Sequence, residues 1–134
     1  MTPFKLKIMT PDGILFDGEA TSITATTDEG EVQILAHHAD YLATLGTGRA
    51  KIILPDCSER TAAASGGFLC VTKGNVSLAT TTFEFKEDID LQRAIKAEEN
   101  ARKRLSSATD ERDEKIARAK LNRALSRIRI ASEK

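Results

Sequence analysis

Apolar and polar residues alternate along the first part of the chain. Phe4, Leu6 and Ile8 are interleaved with lysines, and Val76 and Leu78 flank Ser77. Successive side chains of a strand point to opposite faces, so a period of two marks half-buried strands. Turn-forming clusters punctuate these runs at PDG (11–13), DEGE (28–31), GTG (46–48), LPDCSE (54–59), GG (66–67) and KGN (73–75). Short strands between such turn signals predict a flattened β-sandwich or barrel of eight to ten strands, about ten if every signal ends one. Gly66 and Gly67 precede the apolar residues Phe68, Leu69, Cys70 and Val71. They are expected to make a turn or bulge, or to let another backbone come close.

The alternation stops near Asp88. From there on Ala, Leu, Glu, Lys, Arg and Gln dominate without any Pro or Gly, a composition that favours helix. A first helix is expected from Asp88, as its cap, with Asp90 in the first turn, to about Leu105. SSATDERDE (106–114) offers breakers and an acidic first turn for a second helix that ends near Ile130. The apolar stripes are Leu91, Ala94, Ile95, Ala101 and Leu105 on the first helix, and Ala117, Leu121, Ala124, Leu125 and Ile128 on the second. Stripes so rich in alanine bury little area, and at about 25 cal/mol per Å² the two helices gain only a few kcal/mol from each other. The chain is therefore expected to be α+β in two parts: a β domain over residues 1–86 and an antiparallel α-helical hairpin over 87–134. Such a hairpin can come loose and extend without unfolding the strands.

Composition narrows the function. The chain has 134 residues, the size of one ordinary domain or a small one with an appendage. No tract of about 18 apolar residues is present to insert in a membrane, and the opening MTPFKLKIMTPDG lacks the apolar core of a secretory signal. An intracellular protein is the default expectation. Cys57 and Cys70 are too few for a zinc site, and His37–His38 has no third ligand nearby in sequence. No metal site and no catalytic residue is expected, since no Ser/His/Asp order or paired-acid spacing stands out. The formal net charge of +0 hides an asymmetry: residues 1–87 carry seven Lys and Arg against eleven Asp and Glu, and residues 88–134 thirteen against nine. From Lys115 onward, Lys115, Arg118, Lys120, Arg123, Arg127, Arg129 and Lys134 face only Glu133, which calls for an anionic partner. A nucleic-acid adaptor using this basic helix is the alternative reading. Balanced total charge and 4% aromatic residues with no Trp argue against a base-stacking platform, so no nucleic-acid partner is expected.

Three stretches carry a resemblance: IMTPDGILFDGEATSITATTDEGEVQIL (8–35), SGGFLCV (65–71) and DIDLQRA (88–94). In this order, before a helical hairpin, they make the chain similar over its whole length to the epsilon-subunit family of rotary F-type ATP synthases, called delta in mitochondria. The resemblance implies a non-catalytic rotor subunit of the central stalk, in a proton- or sodium-translocating complex peripheral to the cytoplasmic face of the cell membrane. It places the β-sandwich against the gamma subunit and the c-ring. The hairpin either folds back on the sandwich or extends between gamma and the catalytic head, and the extended form inhibits ATP hydrolysis. Lys120, Arg123 and Arg127, spaced three and four apart on one helix face, would then meet acidic segments of the beta and alpha subunits. The alternative is a merely solvated face. The family loop that lies close to the c-ring corresponds to about Glu29 to Tyr41, with Glu31 and His38 as c-ring-facing candidates. Here QILAHH (33–38) stands where the family usually has GILPGH, so Gln33, Ala36 and His37 replace two glycines and a proline.

Some bacterial members bind ATP in the folded-back hairpin, through an (I/L)DxxRA signature and arginines of the second helix. The residue-by-residue match keeps Glu84, Ile89, Asp90, Arg93, Ala94, Arg123 and Arg127, while Asn100 stands at one basic position. Guanidinium forks suit phosphate oxygens, and acids can accept from adenine or ribose or orient the arginines. ATP is thus expected as a regulatory ligand and no cofactor is required. Without a Gly-rich phosphate loop ending in lysine, hydrolysis by this chain is not expected. The competing reading is structural, because Asp90 and Arg93 at i, i+3 can simply pair across one helical turn.

Overall fold

Strands form where the alternation runs. The computed structural model describes residues 1–133, and the chain divides into two compact units after Phe85. The first unit holds eight strands: β1 (Phe4–Thr10), β2 (Gly13–Ala20), β3 (Ser22–Thr27), β4 (Gly30–Leu35), β5 (Tyr41–Thr44), β6 (Gly48–Ile53), β7 (Glu59–Thr72) and β8 (Asn75–Phe85). Their order is β2-β1-β8-β7-β6-β3-β4, with β5 also paired to β7, and the sheet is not closed. All pairings are antiparallel except β1 with β8. The core is aliphatic: Leu6, Ile8, Ile23, Ile34, Ile52, Leu69 and Leu78 are fully buried. Each such side chain contributes about 1.5–3 kcal/mol relative to exposure.

The eight strands lie at the lower end of the expected range, and the GG pair does not separate two of them. Gly66 and Gly67 lie inside β7, at φ +75° and +96°. Before them β7 pairs with β6, from Ile53↔Glu59 to Gly48↔Ala64; after them it pairs with β5, from Thr44↔Phe68 to Tyr41↔Val71. The register with β8 stays continuous from Ala62↔Phe85 to Thr72↔Asn75, so the pair is neither a turn nor a bulge. It is a bend where the strand changes partner, and it brings backbones together. The Leu45 amide donates to the Gly67 carbonyl at 2.8 Å, and a Cβ on Gly67 would lie 1.8 Å from the Ala79 carbonyl oxygen. In the β6–β7 turn, Asp56 accepts from the Ser58 hydroxyl at 2.5 Å and amide at 2.9 Å, which hold its carboxyl below the usual value.

The second unit begins with one 3₁₀ turn, Lys86–Asp88, followed by α1 (Leu91–Ser106) and α2 (Glu111–Ala131). Asp88 is not the cap of α1. It is spent in the 3₁₀ turn, and Asp90 takes the capping position with extended backbone.

Gly67→Ala forces a backbone clash that no rotamer relieves, so it should lower stability by at least about 3 kcal/mol in chemical denaturation, or prevent folding. Near-wild-type stability would show that β8 can move aside.

Candidate functional site

Both helices start on an aspartate. The Asp90 carboxylate accepts from the Arg93 amide at 3.1 Å and Asp110 from the Asp113 amide at 2.8 Å, each satisfying an orphan donor of the first turn. Glu111, Asp113 and Glu114 complement the positive end of the α2 dipole. α1 and α2 pack on each other, burying Ala94 and Ala101 on the first and Ala117, Leu121 and Ala124 on the second. Ser126 and Ile130 are buried too, roughly half a helical turn from that alanine line, and the Ser126 hydroxyl has no hydrogen-bond partner among the described residues.

Small side chains at the seam leave a cleft of about 460 Å³ beside it. From α1 it is lined by Ala97, Asn100, Ala101 and Arg104, and from α2 by Lys120, Arg123, Ala124 and Arg127. Four of these eight residues are cations and none is acidic. Three exposed cations elsewhere on the hairpin have acid partners. Arg102 pairs with Glu98 at 3.4 Å, Lys115 with Glu111 at 3.7 Å and Arg118 with Glu114 at 3.1 Å, each across one turn. Acids thus neutralise these three positions, and none lines the cleft. Three guanidinium forks and an ammonium lining one cleft suit an anion with several oxygens.

The residues singled out in the sequence divide. Arg123 and Arg127 line the cleft, and so does Asn100, the residue at the altered basic position. Arg93 is exposed one turn before Ala97, on the same α1 face as Ala97, Ala101 and Arg104. Asp90 holds the Arg93 backbone amide, and among the described residues the two side chains form no ion pair. Ala94 is a seam residue, 4% exposed. Ile89 is half-buried just before the helix, its amide donating to the Lys86 carbonyl at 3.3 Å. Glu84 lies on β8 opposite Ala63, in the other unit. Arg104 and Lys120 join the cleft as cations that the ATP-binding signature does not include. Lys120 was legible as part of the basic face; Arg104 needed the antiparallel packing that sets it across from α2.

In the β unit, Glu31 is exposed on β4, which ends the sheet, opposite Thr26. The chain then turns through His37 at φ +66°, a conformation that costs a β-carbon about 1 kcal/mol or more and explains why glycine suits this position. His38 is half-buried, its ring edge against Tyr41 at 5.6 Å and its Nδ1 2.7 Å from the Ala39 carbonyl oxygen. Asp40 accepts from the Lys73 amide at 2.9 Å, which ties this loop to the β7–β8 turn. Among the described residues no group of three His, Cys, Asp or Glu is placed to hold a metal, and no helix is long and apolar enough to cross a membrane.

A β-sandwich unit followed by a short helical hairpin is a two-part architecture that known proteins share. Residues 3–86 match the family model of the ATP synthase Delta/Epsilon chain β-sandwich domain, and residues 87–132 that of its long α-helix domain. The chain belongs to the ATP synthase Delta/Epsilon chain family. It is 36% identical to the ATP synthase epsilon chain of Ruminococcus albus over 135 aligned residues, covering all of both chains. It is 39% identical to that of Clostridium novyi over 127, covering 95% of this chain and 96% of the relative. Among solved structures, a chain of the Euglena gracilis mitochondrial ATP synthase, in an assembly of OSCP, F1 and c-ring, superposes with a TM-score of 0.80 at 26% identity. That superposition covers 96% of this chain and 80% of the other. A chain of the Tetrahymena thermophila enzyme shares the fold, with a TM-score of 0.66 at 17% identity and 96% of each chain covered.

Asn caps a helix as well as Asp but carries no charge. Asp90→Ala should therefore destabilise the hairpin by about 1 kcal/mol while Asp90→Asn stays near neutral, read by hydrogen exchange of the first-turn amides of α1. Equal losses in both variants would mean that the carboxylate charge, not the cap, is what matters.

Proposed function

We propose that this chain is the epsilon subunit of an F-type ATP synthase, a non-catalytic member of the central stalk that joins the gamma subunit to the c-ring and restrains ATP hydrolysis through its hairpin. The observation that carries this reading is the match of both family domains, in order, from residue 3 to residue 132. Its place is then peripheral to the membrane as part of the complex, driven by protons or sodium ions.

The β unit offers a surface of the kind a rotor partner needs. The register sets Ile14, Met9, Ala79 and Phe68 in one row across β2, β1, β8 and β7, and Thr44 on β5 continues it. Ile14 is 58% and Phe68 53% exposed, and Leu42, two residues before Thr44 on the same face, is 68% exposed. Apolar side chains gathered on one outer face mark a protein contact. We assign this row to gamma, and Glu31 and His38 to the c-ring side.

The hairpin serves as the regulator. In its extended form Lys120, Arg123 and Arg127 meet acidic segments of the beta and alpha subunits; in the closed form the same cations face the cleft. A regulatory nucleotide such as ATP in the cleft, with Arg93 at its edge, competes with that inhibitory contact. At a hundredfold excess over Kd such a ligand adds about 2.7 kcal/mol to the closed form.

Reconstitution into a complex depleted of its own epsilon subunit tests both parts. A chain ending at residue 87 should still assemble and should raise ATP hydrolysis, whereas Leu42→Asp with Phe68→Asp in the full chain should fold but assemble poorly. Failure of the truncated chain to join the stalk, or full assembly of the double variant, would sink the respective assignment.

A further inference from the structure

We propose that the outer face of the β unit carries a small-ligand site, between β1 and the β7–β8 turn, that takes a phosphate ester of a small polyol. Lys5, Lys7 and Lys73 hold the phosphate, and Asp17 accepts a hydroxyl of the polyol. The site lies wholly within the β unit and does not depend on the hairpin.

The concentration of charge is the first observation. Residues 1–85 hold six Lys and Arg against ten Asp and Glu, so this unit is acidic overall. Three of its four lysines nevertheless line one cavity of about 330 Å³. The fourth, Lys51, lies on β6 and pairs with Glu59. Like charges repel, so three ammonium groups gathered in one cavity favour an anion among them.

Backbone placement is the second. Lys5 and Lys7 share the outer face of β1, since Phe4, Leu6 and Ile8 are buried on the other. The parallel register sets Lys7 beside Ser77, and Asn75 lies just before the Leu6↔Val76 pair. Lys73 comes from the β7–β8 turn, where it is held at φ +50° and its amide donates to Asp40 at 2.9 Å. Two paired strands and a tethered turn thus fix where the lysine stems begin. Leu6 and Val76, both buried, form the floor. The cavity starts next to Met9 and Ala79 of the apolar row and runs to the end of the sheet.

Unused donors and a single acid are the third. Among the described residues the Asn75 amide and the Ser77 hydroxyl make no side-chain hydrogen bond, and the three lysines make no ion pair. Ammonium, hydroxyl and amide donors together match the several oxygens of a phosphate. Asp17 is the one carboxylate of the lining; the register sets it opposite Lys7, yet the two form no ion pair. An acid at the edge of a cationic seat accepts a hydroxyl and repels a second phosphate. The volume is at the lower end of small-ligand sites, roughly 300–1,000 Å³, which suits one phosphate with a short polyol. Free polyol phosphates and the phosphatidylglycerol headgroup share this chemistry.

The test is NMR titration of the full chain with glycerol 3-phosphate, inorganic phosphate and glycerol as separate probes. Co-sedimentation with vesicles of equal parts phosphatidylglycerol and phosphatidylcholine, against phosphatidylcholine alone, distinguishes the two sources. Glycerol 3-phosphate is expected to shift the Lys7, Lys73, Asn75 and Ser77 amides saturably at millimolar concentration, with inorganic phosphate weaker and glycerol silent. Lys7→Gln and Lys73→Gln should each weaken binding about threefold, and the double variant about tenfold, with the thermal melt unchanged. Asp17→Asn should tighten inorganic phosphate but not glycerol 3-phosphate, and Arg123→Gln in the hairpin should leave all these shifts in place. Vesicle binding that requires phosphatidylglycerol and is lost in the double variant assigns the site to a lipid headgroup; soluble binding without it assigns the site to a free ester. Equal tightening of both phosphates by Asp17→Asn would overturn the polyol part. Shifts unchanged in the double variant, or no response to the soluble ester and to phosphatidylglycerol vesicles alike, would overturn the whole proposal and leave the hairpin reading untouched.

Discussion

The hairpin is held by alanine against alanine. Ala94 and Ala101 of α1 meet a line of Ala117, Leu121 and Ala124 on α2, with the larger Ile95, Leu105 and Ile128 only half-buried. A buried methyl contributes about 0.8 kcal/mol, several-fold less per residue than the fully buried leucines and isoleucines of the strands. Small residues let the helices come close but supply little energy for staying so. The charges flanking the seam therefore decide its strength. On the outer faces Arg102, Lys115 and Arg118 are paired across single turns, while no acid lines the cleft. A closed hairpin that sets Arg104 of α1 beside Lys120 and Arg123 of α2 is weakened by their mutual repulsion.

The β unit has the opposite character. Its two longest strands, β7 and β8, keep one register for their whole pairing, and the bend at Gly66 and Gly67 lets β7 serve β6 at one end and β5 at the other. Asp40 ties the loop after β4 to the β7–β8 turn. Arg60 lies over the Phe85 ring at 3.6 Å and Phe83 meets Phe85 edge-on at 5.2 Å, which anchors the end of the last strand. A firmly packed unit beside a weakly closed one is what the proposed regulatory role requires.

Much of this was legible in residue order, because the two periods differ. Alternation marked the strands and alanine-rich helix formers the hairpin, and Arg123 and Arg127 read from the sequence do face the cleft beside Asn100. The misses have local causes. Two neighbouring acids, Asp88 and Asp90, compete for one cap, and a 3₁₀ turn that consumes Lys86–Asp88 decides between them. A glycine pair reads as a turn unless the partner change along β7 is known. Arg104 was missed because its neighbours in the cleft are sixteen or more residues away on another helix, a relation that no local pattern encodes. Ser126 and Ile130 fall off the alanine line and gave no signal of burial.

On this reading the hairpin opens separately from the β unit, and anions in its cleft govern the opening. Native-state hydrogen exchange of the full chain measures both at once. The account predicts that α1 and α2 amides exchange well before those of β7 and β8, and that millimolar tripolyphosphate slows the helical amides alone. Exchange of helices and strands in one cooperative step, unmoved by the anion, would contradict it.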